Sequence, residues 1–238
     1  MFFYFDIYYL IIVMPFVLIS LYASYKVNTT FKQYSAVPTA HGITGAEAAR
    51  LVLEENGVIG VRIARCEGHL TDHYDPRDNT IYLSEGVYDG CSAAACGVAA
   101  HEAGHAVQHA EEYLPIRIRT ALVPVTNIGS SVGMWLILIG LLLCFVGEIF
   151  VYVAFAGIAL FSITALFQLV TLPVEFNASR RAVRALSDSG RFSEEDRDGA
   201  KEVLSAAAMT YVAALAVTLA QILRLLLIVA SASGRRRD

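Results

Sequence analysis

Four long apolar stretches divide the 238-residue chain, and each is long enough to cross a bilayer, which takes about 20 residues. The first runs from Ile7 to Tyr25 without a charge; Asp6 precedes it in place of a basic leader, and no small-residue cleavage site stands before Lys26, so it reads as an anchor. The second and third, Ile128 to Gly147 and Ile149 to Leu172, are separated only by Glu148 and form a tight hairpin. The fourth, Ala206 to Ala230, carries Gln221 and Arg224, and an interfacial helix is its alternative reading. Arg224 lies about two turns from the end of that run and is expected to snorkel toward Arg235, Arg236 and Arg237. Gly129, Gly133 and Gly140 permit close helix packing. Packing within the bundle is the default; a homo-oligomer or a membrane partner protein is the alternative.

The polar stretches have other periods. Thr44 is placed to cap a helix over Gly45 to Asn56, with Glu47 completing a capping box. Ala48, Ala49, Leu51 and Val52 would be its buried face, and Gly57 its C-terminal stop. Val58 to Cys66 alternates as a short strand, and Asp75-Pro76-Arg77-Asp78-Asn79 is turn chemistry leading into a strand over Thr80 to Ser84. A helix from about Ser92 to Glu112 follows, ended by Pro115. The fold class expected is α+β: a small sheet with helices, fused to a mostly four-helix transmembrane bundle. The segments are an anchor (1–25), a core (26–127), a transmembrane hairpin (128–172), a helix carrying Glu175 with a connecting segment (173–205) and a last span with a basic tail (206–238).

Composition agrees with a membrane protein. Hydrophobic residues make up 56% and charged residues 17%, below the roughly 25% of soluble domains. A net charge of −4 argues against a nucleic-acid partner. Four scattered cysteines make neither a disulfide framework nor a cysteine zinc site. Lys26, Lys32, Arg117, Arg119, Arg180, Arg181 and Arg184 sit near span ends on one side, which the positive-inside rule assigns to the cytoplasm. The expectation is a multi-pass protein of a bacterial or archaeal cell membrane, in contact with lipid.

Candidate chemistry sits in the helix over residues 92–112. His101-Glu102-Ala103-Gly104-His105 puts two imidazoles one helical turn apart on one face, which lets both reach one Zn²⁺. Glu102 beside them is the candidate general base. A catalytic zinc site needs a third protein ligand. His109 continues the same face, but three histidines on one straight helix converge poorly. Glu111 stands where a metzincin histidine would be. Glu175, in Pro173-Val174-Glu175-Phe176-Asn177-Ala178-Ser179-Arg180-Arg181, is the better candidate, because the hairpin returns it to the same side as His101. The strand carrying Thr80, Ile81 and Tyr82 is either an edge strand that holds an extended substrate or an ordinary sheet strand.

Leu70-Thr71-Asp72-His73-Tyr74-Asp75-Pro76-Arg77, Val98 to Ala106, Arg119 to Pro124 and Pro173 to Phe176 together carry a resemblance to the YugP-type neutral zinc metallopeptidases, membrane members of the gluzincin clan. The resemblance covers most of the chain. It implies a minimal gluzincin core in which a second helix brings Glu175 to the zinc helix, one Zn²⁺ per chain, and cleavage of proteins or peptides at or near the membrane. The family's run is expected to read Glu-Phe-Asp-Ala-Ser; this chain has Asn177, which would orient a histidine more weakly than an acid. His73, Tyr74, Arg180 and Arg181 are candidates to stabilise the oxyanion. A zinc-binding scaffold without catalysis, with His109 as a fourth ligand, is the rival reading, and a transporter or channel component gated by the histidines is a second.

Overall fold

The computed structural model describes residues 6–234. In chain order, a π-helical turn (Tyr9–Val13) leads into α1 (Met14–Ser35), then α2 (Gly45–Glu55), β1 (Arg62–Cys66), β2 (His73–Asp75), β3 (Thr80–Ser84) and α3 (Glu85–Tyr88). The long helices follow: α4 (Ala93–Ala110), α5 (Leu114–Leu143), α6 (Ile149–Phe161), α7 (Ile163–Asp188) and α8 (Glu194–Gly234). The fold is α+β with a helical bundle. Helices Tyr9–Ser35, Leu114–Leu143, Ile149–Asp188 and Glu194–Ser233 are each long and apolar enough to cross a membrane. The chain separates into two compact units. One takes the chain up to Tyr22, Ile118–Thr171 and the chain from Tyr211; the other takes Ala23–Arg117 with Leu172–Thr210.

The second unit holds the sheet and α4. Thr44 caps α2 as its sequence requires: its hydroxyl accepts from the Glu47 N–H at 3.2 Å, and its own N–H donates to Glu47 Oε2 at 2.8 Å. Gly57 takes a φ of +65° to end the helix. Ala48, Ala49, Leu51 and Val52 are buried against α4, with Ile81 and Leu83 of the sheet in the same core. Ser92 caps α4 by accepting from the Ala95 N–H. Pro115 stands in the first turn of α5, where its missing N–H costs nothing.

The sheet order is β1-β3-β2. β3 pairs parallel with β1 and antiparallel with β2, so the backbone of Thr80, Ile81 and Tyr82 is engaged on both sides. Of the two readings of this strand, the ordinary sheet strand is the one found: β3 is central, and Thr80, Ile81 and Tyr82 have no free edge to offer a substrate. The edge beside α4 belongs to β2, a three-residue strand too short to show a period.

Small residues set the close crossings. A Cβ at Gly104 of α4 would stand 2.7 Å from the Ala178 carbonyl oxygen of α7, and one at Gly97 would meet Ala200 of α8 at 3.0 Å. Asp196 accepts from the N–H groups of Ser193 and Ala40, tying the start of α8 to the segment after α1.

In the first unit, Gly133 of α5 and Gly157 of α6 face one another, each leaving 2.7 Å between a notional Cβ and the other's carbonyl oxygen. Arg224 does not snorkel. It is 4% exposed and its guanidinium grips the Asp6 carboxylate, Nη2 to Oδ2 at 2.5 Å and Nε to Oδ2 at 3.0 Å, with the Tyr9 ring beside it. Arg235–Arg237, toward which it was expected to reach, lie outside the described residues. A charge within an apolar helix is tolerated when paired, and this pair joins the first helix to the last.

Removing one partner strands the other charge, which costs about 3–5 kcal/mol for a fully buried pair. Asp6 is partly exposed, so Asp6→Ala should destabilise the detergent-solubilised protein by about 1–3 kcal/mol. Asp6→Ala/Arg224→Met should recover most of the loss. Thermal unfolding checks both, and equal Tm values for Asp6→Ala and wild type would refute a stabilising pair.

Candidate metal centre

Among the described residues, His101, His105 and Glu175 form a group of three metal-ligating side chains whose donor atoms lie within 4.8 Å of one another. Two come from successive turns of α4 and the third from α7. His101 Nε2 is 3.2 Å and His105 Nε2 is 3.6 Å from Glu175 Oε2. Bonds of about 2.0–2.1 Å to a four-coordinate zinc put neighbouring ligand atoms about 3.3 Å apart. The donors are thus both chemically and metrically suited to Zn²⁺. His109 stands apart, with its ring tilted against Tyr74 at 5.4 Å, so a closed site with His109 as fourth ligand finds no support in this geometry.

The remaining nitrogen of each histidine is also engaged. Ser179 Oγ lies 3.1 Å from His101 Nδ1, and Gln108 Oε1 lies 3.0 Å from His105 Nδ1. Gln108 is fully buried. Its Nε2 donates to the Val174 carbonyl at 2.8 Å and to Asn177 Oδ1 at 2.9 Å. With both amide hydrogens taken by acceptors, the face turned to His105 is an acceptor. In its neutral form His105 must then carry its proton on Nδ1, which leaves the Nε2 lone pair for a metal ion.

Charge follows the same arrangement. Burial pushes the Glu102 carboxyl above the ordinary carboxylate range, against the downward pull of the two histidines. Burial disfavours a charged His105, but the Glu175 hydrogen bond and the Glu102 charge outweigh it and raise its pKa. The Glu102 carboxylate also accepts the Tyr74 N–H at 3.1 Å, which anchors the free edge of β2 to the zinc-motif helix.

The other sequence candidates are distributed differently. Tyr74 sends its hydroxyl to Asn79 Oδ1 at 2.8 Å, away from the donor triad. His73 is exposed, on the sheet face of Tyr82, whose ring it stacks on at 5.1 Å. Ile81, opposite Tyr74, faces the core. His73 therefore points to the wrong side for an oxyanion. Arg181 clamps Asn177 Oδ1 and Glu111 Oε2, at 2.8 and 2.6 Å, and is fixed as a support. Arg180 is exposed beside α8. Asn177 holds Gln108, which in turn holds His105. Gln108 and Ser179 escaped the sequence reading, although each lies at helical spacing from a candidate ligand: three residues after His105 and four after Glu175.

A membrane-associated zinc metallopeptidase is the class these features define. The family described as "Putative neutral zinc metallopeptidase" matches residues 9–230, and the chain belongs to that family. Zn²⁺ is its metal. A similar protein from Bacillus subtilis (strain 168), named "Putative membrane protease YugP", is 45% identical over 210 residues, which is 88% of this chain and 91% of that one. No solved structure matches the chain.

Gln108→Leu should lower zinc affinity about 10–100-fold, the usual effect of losing a partner to a metal-bound histidine. Competition with a chelator reads this directly. Wild-type affinity in that variant would remove Gln108 from the support of His105.

Proposed function

We propose that the protein is a zinc endopeptidase that cleaves proteins at or near the membrane, with its site on the cytoplasmic side of a bacterial or archaeal cell membrane. The observation that carries this reading is one Glu175 oxygen standing 3.2 and 3.6 Å from the Nε2 atoms of His101 and His105, with Glu102 directly after His101. His101, His105 and Glu175 are the ligands, and three protein ligands leave a position open for chemistry. The bound metal supplies a Lewis acid that polarises the scissile carbonyl and makes water acidic enough to attack at neutral pH.

Glu102 takes a proton from the attacking water as the new C–O bond forms, then delivers it to the departing amine nitrogen as the C–N bond breaks. The Tyr74 N–H fixes which way the carboxylate faces. The lysines and arginines near the ends of the apolar runs support the cytoplasmic orientation.

Zinc content and casein cleavage should be measured together in detergent. His105→Ala and Glu175→Ala should lose metal and activity. Glu102→Gln should keep stoichiometric zinc and lose cleavage by at least about 100-fold, the scale of a lost general base. Cleavage surviving in Glu102→Gln would remove that residue from the chemistry. Zinc kept at wild-type affinity in Glu175→Ala would move the third ligand elsewhere.

A further inference from the structure

A groove of about 500 Å³ between α7 and α8 joins two chemistries that seldom meet on a water-facing surface. Phe176, Leu204 and Met209 give it an apolar wall, and Arg180, Arg184 and Lys201 give it a basic one. The residues lining it include no carboxylate. Phe176 is 41% exposed and Met209 54%. Arg184 has the Asp188 carboxylate at 3.4 Å, but both side chains are well exposed, and such i,i+4 pairs on a helix hold a cation only weakly.

The place of these residues in the chain says what the groove would meet. Phe176 follows the third apolar run, which ends at Leu172, and Met209 falls within the fourth, which begins at Ala206. Cations beside membrane-crossing stretches meet phosphate headgroups, and clefts with basic walls between such helices bind anionic lipid. An acidic peptide would satisfy the arginines but leave the apolar wall in water. A zwitterionic lipid would satisfy the wall, but its own ammonium would compete with three cations for its phosphate.

We propose that this groove binds one anionic phospholipid, with its phosphate among Arg180, Arg184 and Lys201 and its acyl chains along Phe176, Leu204 and Met209. Ser179 also lines the groove, and its hydroxyl lies 3.1 Å from His101 Nδ1. The lipid site therefore shares one side chain with the metal centre, although its existence does not depend on the protease reading.

Native mass spectrometry of the full detergent-solubilised chain, given equimolar phosphatidylglycerol and phosphatidylcholine, tests the proposal. Wild type should retain one phosphatidylglycerol in preference to phosphatidylcholine. Arg184→Gln/Lys201→Gln should weaken that retention roughly twenty-five-fold, since each surface cation contributes roughly fivefold. Ser205→Trp, which fills the groove without altering charge, should abolish it; if that variant does not fold, the charge variant still decides. The proposal is overturned if phosphatidylcholine is retained equally, if both variants keep wild-type retention, or if inorganic phosphate or a Glu-rich peptide displaces the lipid at equal concentration. The same measurement in Glu102→Gln gives the same answer whether or not the protein proves to be a protease.

Discussion

The second unit depends on one buried carboxylate held between two imidazoles. Glu175 is 2% exposed, and a carboxylate taken out of water without compensation would protonate or disrupt the fold. Its compensation comes from His101 and His105, so α4 and α7 must approach closely. Gly104 makes that approach available, because its missing Cβ leaves room for the Ala178 carbonyl. The pentapeptide thus has two separate physical duties. Its histidines supply nitrogen donors, and the glycine between them admits the helix that supplies the oxygen.

Much of this was legible in the sequence because it rests on local spacing. Thr44 and Glu47 are three residues apart, and their capping box follows from side-chain reach alone. His101 and His105 share a face because a helix turns every 3.6 residues. The preference for Glu175 over His109 rested on two arguments: a straight helix converges poorly three histidines onto one ion, and the apolar hairpin returns Glu175 to the side of His101. Family membership then agrees with the resemblance carried by those same segments.

The rest was illegible for equally physical reasons. β2 has three residues, and two-residue alternation over so short a run carries no information. Without β2, nothing decided whether β3 was an edge strand or a central one. The Asp6–Arg224 pair closes a separation of 218 residues, which no helical or strand period can report. Seen from its own helix, Arg224 was a charge near the end of an apolar run, and snorkelling was the cheapest way to solvate it. Gln108 escaped for another reason: a glutamine one turn beyond a ligand carries no local sign of which partners its amide will bond, and two of these three lie on another helix.

Gln108 also explains why Asn177 can stand where the family resemblance leads one to expect an acid. The group that meets His105 is the Gln108 oxygen, and residue 177 is required only to accept a hydrogen from the Gln108 amide. An asparagine oxygen has two lone pairs and serves both Gln108 and Arg181. The geometry that fixes the His105 tautomer therefore survives the exchange, and only the charge differs. With Asn177 neutral, Arg181 keeps its ion pair with Glu111 at 2.6 Å. An aspartate at 177 would add a further negative charge in the second layer of side chains around Glu175, which is already a buried anion. The chain keeps the hydrogen-bond scaffold and gives up that charge, so the weaker orientation expected of asparagine does not follow when a fully buried glutamine stands between it and the histidine.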